Sequence, residues 1–324
     1  MTTHKERIHA ALKGEMIDRP PVALWRHFPV DDQSAAALAD AHLHYQHNYD
    51  FDLLKVTPAS SFCLKDWGVD DEWVGDTEGT RRYTARVISD PRDWEALPVL
   101  QPSAPHLAQQ LECLRLIRAR LGSDTPLLQT IFSPLAQAKN LAGNELLLEH
   151  LHHHPSAVMK GLKTIAETTR LFVEAARSAG IDGIFYAVQH AQRQLLSYEE
   201  YKIFGLIFDR ETIEPAGGLW CNMLHLHGQE VRFELANDLP FQIVNWHDRE
   251  SYPSLSEAQS LFSGMLCGGM RQDTLVYRDR TEVQNEATDA VAQTSGRRFL
   301  LGTGCVVPII ASHGNILAAR KSVE

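Results

Sequence analysis

Short apolar runs of four to six residues recur along this chain, separated by segments of helical spacing. That alternation reads as parallel βαβ units and constrains the fold more than any other feature. The runs are Pro21–Trp25, Phe51–Val56, Leu127–Ile131, Gly183–Ala187, Leu219–Leu224, Phe241–Asn245, Ser263–Cys267 and Phe299–Gly302. Between them lie helical patterns near Lys5–Leu12, Pro102–Leu121, Ser156–Ser178 and Thr281–Thr294. Gly180 follows the third as a left-handed terminator, and Ser197 with Glu200 forms a capping box that opens another helix. Eight strands with helices between most of them predict a (β/α)8 TIM barrel, one domain over residues 1–324. The segment from Ser60 to Leu97 breaks the pattern with Trp67-Gly68, Trp73, Gly75 and Gly79, and reads as a β-hairpin insertion after strand two. The histidine-rich tract at His150, His152, His153 and His154, before Pro155, reads as a solvated loop. A doubly wound open sheet is disfavoured, because no Gly-rich phosphate turn follows an early strand.

Composition narrows the partners. A length of 324 residues and a hydrophobic share of 44% suit one large barrel core. A net charge of −10 supplies no footprint for nucleic acid or an anionic membrane, though a local basic pocket for an acidic substrate remains compatible with it. No run approaches the roughly 18 apolar residues of a membrane span, and the polar opening residues carry no secretory stretch. The five cysteines are widely spaced with no CxxC, which fits a reducing cytoplasm better than a disulfide framework.

In a barrel, functional side chains sit at strand C-termini and in the loops after them. That filter selects Arg26, Lys55, Phe132, Tyr186, Gln189, His225, His227, Asn245, His247, Arg271 and Cys305. His225 and His227 are two apart, so an extended backbone turns both imidazoles to one face. With a thiolate from Cys305 they make a zinc site with a free fourth position, the pattern of catalytic zinc. The competing reading has His225 hydrogen-bonded in the core and His227 capping a helix. His247 and Asp248 are read as an acid–base pair, against the plainer reading of a loop packed by Trp246. Arg26 offers a planar fork to a carboxylate, or pairs with Asp31 or Asp32 on the surface. Arg26, His247 and Tyr186 are the catalytic candidates. Arg26, Lys55, Phe132, Gln189, Asn245 and Arg271 are the substrate-binding candidates.

Several motifs resemble the uroporphyrinogen decarboxylase superfamily across nearly the whole chain. Arg19-Pro-Pro-Val22 is similar to its opening. Tyr186 to Gln189 with Ser197 to Tyr201 is similar to its middle region. Leu224-His-Leu-His-Gly228 resembles its His-x-Cys-Gly segment, and Gly302-Thr-Gly-Cys305 its closing strand. The resemblance implies one of two activities. The first is cofactor-free decarboxylation of an octacarboxylate porphyrinogen, a lyase reaction with Arg26 as the main clamp and Arg193, Arg249 or Arg271 compensating. Here the strand-one loop keeps only the first Arg of the decarboxylase pattern. Thr57-Pro58 stands where an Asp is expected, and Thr303 where a His is expected. The second activity is that of the cobalamin-linked methyltransferases, whose His-x-Cys motif and closing Cys hold zinc. In that branch zinc activates a thiol for methyl transfer, and the corrinoid arrives on a partner protein because this chain carries no corrinoid-binding domain. A non-catalytic small-molecule-binding barrel is the third reading. The implied partners are a small-molecule substrate and a corrinoid protein, and a homodimer is compatible with all three readings.

Overall fold

The structure, a computed structural model, describes residues 2–324. Among the described residues there are nine strands: β1 (Leu54–Val56), β2 (Asp70–Glu72), β3 (Arg82–Ala85), β4 (Leu127–Phe132), β5 (Gly183–Val188), β6 (Met223–Leu226), β7 (Ile243–Trp246), β8 (Met265–Met270) and β9 (Phe299–Thr303). Seven of them form one curled, all-parallel sheet in the order β1-β4-β5-β6-β7-β8-β9. With helices in the crossovers, the architecture is TIM-barrel-like. β2 and β3 pair antiparallel in a separate two-stranded ribbon inside the segment read as a hairpin insertion.

The expected first strand, Pro21–Trp25, lies extended between the two sheet edges but is not a regular strand. Ala23 N donates to Leu301 O (2.9 Å) and Leu301 N to Pro21 O (2.9 Å). On its other side Asp52 N donates to Val22 O (2.8 Å). Pro20 and Pro21 bring no amide hydrogens, so only a single bridge, Val22 to Leu301, forms. The other strands fall within a few residues of expectation. β6 begins later than the predicted run, because a 3-10 turn over Glu214–Ala216 carries the chain on to Leu219. This shift places His225 inside the strand. β8 runs through Gly268 and Gly269 instead of ending there. A side chain at Gly268 would meet the Asp248 carboxylate at 2.3 Å, and Gly269 sits at φ +101°, so the strand stays regular only with glycine at both.

The helices follow their capping signals. Thr3 and Ser197 each close a capping box, and Pro155–Ser178 ends at Ala179 before Gly180 with φ +91°. The histidine tract is a correction. His150, His152 and His153 lie in the helix Asn144–His153, and buried His150 accepts a hydrogen bond from Trp94 Nε1 at 3.0 Å. Its buried face is set by helix periodicity, which a run of polar residues conceals.

Candidate metal centre

A cavity of about 270 Å³ opens at the C-terminal ends of the strands. Its wall takes Lys55 from β1 and Thr57 just past it, Thr130 and Phe132 from β4, Phe185 and Ala187 from β5, and His225 from β6 and His227 just past it. Cys305 comes from the loop after β9, and the insertion adds Glu78, Arg81 and Tyr83. These side chains meet because alternate residues of every parallel strand point inward, and the inward ones nearest the C-terminal ends surround the mouth.

One metal-ligating atom from each of His225, His227, His247 and Cys305 lies within 4.8 Å of the other three. Cys305 Sγ is 3.7 Å from His227 Nδ1, and the rings of His227 and His247 stand 5.2 Å apart. Donors on a zinc tetrahedron are about 3.3–3.8 Å from one another, so side-chain adjustments of about an ångström would close the set. Burial, with His227 and His247 nearby, holds His225 well below the usual imidazole range. Burial also brings His227 down to about 4 and lowers His247. All three are therefore neutral donors at neutral pH. Burial, reinforced by Glu78, pushes the Cys305 thiol up to about 11, so a cation would have to displace its proton. His247 Nε2 is buried without any hydrogen-bond partner, a cost that a bound cation would remove. Three imidazoles and one thiol suit zinc in ligand type and softness.

The structure gathers some candidates and disperses others. Lys55, Phe132 and Gln189 line the cavity. Lys55 Nζ donates to Thr57 Oγ1 (3.2 Å) and lies 4.4 Å over the Phe185 ring, and burial lowers it to about 7. No carboxylate pairs with it among the described residues. Asn245 is fully buried beside His225 and does not line the cavity. Tyr186 points the other way from its neighbours Phe185 and Ala187, and its hydroxyl donates to Asp209 at 2.6 Å outside the barrel interior. Arg26 packs over Phe28 at 5.3 Å, away from the cavity, and Asp32 pairs instead with Arg81. Arg271 is exposed and reaches Glu250 at 3.3 Å. The expected His247–Asp248 pair does not form. Asp248 accepts from Gly269 N at 3.0 Å, while His247 joins the other histidines.

Residues missed in the sequence reading are instructive. Lys139, six residues past Ser133, donates to Gln189 Oε1 at 2.8 Å and lines the cavity, with burial lowering it to about 8. His27, which the strand-end rule does select at the close of the first run, lines it with Nδ1 unpartnered. Glu78, Arg81 and Tyr83 are brought in by the insertion, whose packing no local pattern reveals. His247 lies past a strand end, and that position was the available signal for a fourth ligand.

A barrel-like fold with polar side chains gathered at the strand C-termini defines the class of barrel proteins that work from their mouths. Within that class, the uroporphyrinogen decarboxylase (URO-D) family model matches residues 3–324, and the chain belongs to this family of enzymes. No curated protein matches the chain in sequence. Among solved structures, the chain is similar to a methyltransferase from Methanosarcina mazei, with 18% identity, 99% of this chain and 98% of the other covered, and a TM-score of 0.87. It is also similar to a B12-independent methionine synthase from Shewanella sp. W3-18-1, with 14% identity, 93% and 92% covered, and a TM-score of 0.60. A putative vitamin-B12 independent methionine synthase from Listeria monocytogenes gives 11% identity, 94% of each chain covered and a TM-score of 0.54.

Proposed function

We propose that the chain is a zinc-dependent methyltransferase that methylates a thiol or similar nucleophile, with the methyl group delivered by a corrinoid on a partner protein. The observation that carries this reading is the cluster of His225, His227, His247 and Cys305 donors within 4.8 Å at the edge of one cavity. His225, His227 and Cys305 would hold the metal and leave the fourth position, beside His247, to the substrate, and the metal would supply the charge that keeps a bound thiol deprotonated at neutral pH. The remaining work falls to the chain's own side chains. Trp25, Phe132 and Phe185 exclude water from the nucleophile. Lys55 and Lys139, two largely buried amines on the wall, favour a substrate that carries an acidic group. In the transfer, the thiol proton leaves to water at the mouth and the sulfur lone pair forms the new S–C bond. The partner's corrinoid would supply the methyl group and retain the electron pair of the bond that held it. The methyltransferase from Methanosarcina mazei, alike in fold over almost the whole chain, is in keeping with this reading. We read residues 1–324 as one barrel domain acting in the cytoplasm.

Porphyrinogen decarboxylation is less well served by the same cavity. Arg193, Arg249 and Arg271, which would compensate for the missing clamp arginine, pair with Glu234, Asp289 and Glu250 outside the lining. Metal analysis after mild, chelator-free purification tests the proposal. Stoichiometric zinc that falls in His225→Ala is expected. Sub-stoichiometric zinc, or unchanged metal in that variant, sinks it. Incubation with uroporphyrinogen should give no coproporphyrinogen above the uncatalysed background.

A further inference from the structure

Asn245 reaches three places at once from a fully buried position on β7. Its Nδ2 lies 2.9 Å from Cys267 O on β8 and 3.0 Å from Thr303 O at the end of β9. Its Oδ1 lies 2.7 Å from His225 Nδ1 on β6. Carbonyl oxygens only accept hydrogen bonds, so the end of the amide that faces the two carbonyls must be the NH2 group. The amide therefore cannot flip, and its oxygen must face the imidazole. A carbonyl-type oxygen there can be satisfied only if His225 Nδ1 carries the hydrogen. In the neutral ring with its hydrogen on Nδ1, the second ring nitrogen, Nε2, carries the lone pair.

The same amide reaches the strand that leads to Cys305. Thr303, whose oxygen it binds, uses its own hydroxyl to hold Cys305 O, so the backbone that carries the Cys305 thiol is tied to Asn245 through one intervening residue. β6 and the residue that follows it supply His225 and His227, and the loop after β9 supplies Cys305. Asn245 is the side chain that bonds directly to the first of these elements and to the end of the second.

We infer that Asn245 is a positioning residue which fixes His225 as the Nδ1–H tautomer, so that it presents Nε2 to a metal, and which anchors the loop carrying Cys305. The inference builds on the metal-site reading, but its first test needs no metal. In the metal-free protein with ¹⁵N-labelled histidine, the His225 signals should show a hydrogen on Nδ1 and a bare Nε2. A wild-type spectrum with the hydrogen on Nε2 overturns the inference, whatever the chain's activity. The second measurement is zinc affinity by competition with a chromophoric chelator. Asn245→Ala should weaken zinc about 10- to 100-fold, the usual range for removing a partner behind a ligating histidine. It should also leave the His225 tautomer mixed. Unchanged affinity together with an unchanged tautomer would refute the positioning role. If Asn245→Ala does not fold, the wild-type tautomer still decides. If wild type binds no zinc while His225 shows the Nδ1 hydrogen, the metal reading fails and the tautomer assignment stands.

Discussion

The two ends of the barrel treat buried polar groups in opposite ways. At the N-terminal end, Asp52 is completely buried and both oxygens are engaged. Arg7 Nη1 and Arg19 Nη1 approach at 2.7 Å, His4 Nδ1 at 3.0 Å, and Val22 N donates at 2.7 Å. Burial alone would raise this carboxyl, but His4 and Arg19 reverse it and hold it well below its ordinary range. At the C-terminal end, Lys55 is buried with no carboxylate partner among the described residues, and His247 Nε2 and His27 Nδ1 have no hydrogen-bond partner there. A buried charge costs several kcal/mol unless it is compensated. The lower end compensates from within the chain and so contributes to stability. The upper end leaves Lys55 without a counter-charge and His247 and His27 without a partner, which makes sense if something from outside completes them.

The sharpest way to break the contrast is to unbalance the lower end. Asp52→Ala strands Arg19, leaves Arg7 with Asp18 alone, and should destabilise the fold by about 3–5 kcal/mol in chemical denaturation. The zinc affinity of the protein that remains folded should not change. The folded Asp52 value lies below the unfolded 3.8. Its contribution is therefore complete above about pH 4 and is lost as the pH falls through that range, and Asp52→Ala should flatten acid unfolding there. A loss of metal with normal stability would mean that the two ends are not independent.

At the upper end, Cys305→Ser replaces a thiolate with a neutral hydroxyl. It should remove most zinc affinity while shifting metal-free stability by about 1 kcal/mol or less, since mouth positions are not core. Combined with His225→Ala, the loss should fall far short of additive, because the donors act as a unit. Additive losses would show that they do not share one ion.

Lys55→Met tests the unmatched cation. Its folded value of about 7 lies below the ordinary 10.5, so between those values the unfolded chain holds more protons. Wild-type stability should then rise with pH from about 7 to about 10.5. The Met variant should lose that rise and gain on the order of 1–3 kcal/mol at neutral pH and below. If Lys55→Met is destabilising instead, the amine is satisfied within the fold and the contrast with Asp52 disappears. The smallest effect belongs to His227→Cys, which supplies a thiolate in place of an imidazole and should hold zinc within about tenfold of wild type. If it abolishes zinc binding while His227→Ala does not, His227 is not a ligand.

Much of the fold could be read from the sequence. The spacing of the apolar runs located seven parallel strands to within a few residues, and the capping signals placed the helix ends, because both depend on local periodicity and local hydrogen bonding. The pairing of His225 with His227 and the arrival of Cys305 at the same mouth were also readable, from strand alternation and from the rule that strand C-termini converge. Side-chain direction in the central strands was not. Tyr186 points outward while Phe185 and Ala187 point inward, and a strand buried on both faces carries no polar alternation to reveal that phase.

What the sequence determined by itself was the sheet, the order of its strands and three of the four clustered donors, since each rests on spacing along the chain. Only the tertiary structure decided that His247 leaves Asp248 to join them, and that Asn245 lies behind His225. It also decided that the insertion and Lys139 complete the wall, and that Arg26 and Arg271 stay outside. Each of those outcomes depends on how far a strand is shifted and twisted against neighbours distant in sequence. That geometry is fixed by packing around the whole barrel, and no local run of residues encodes it.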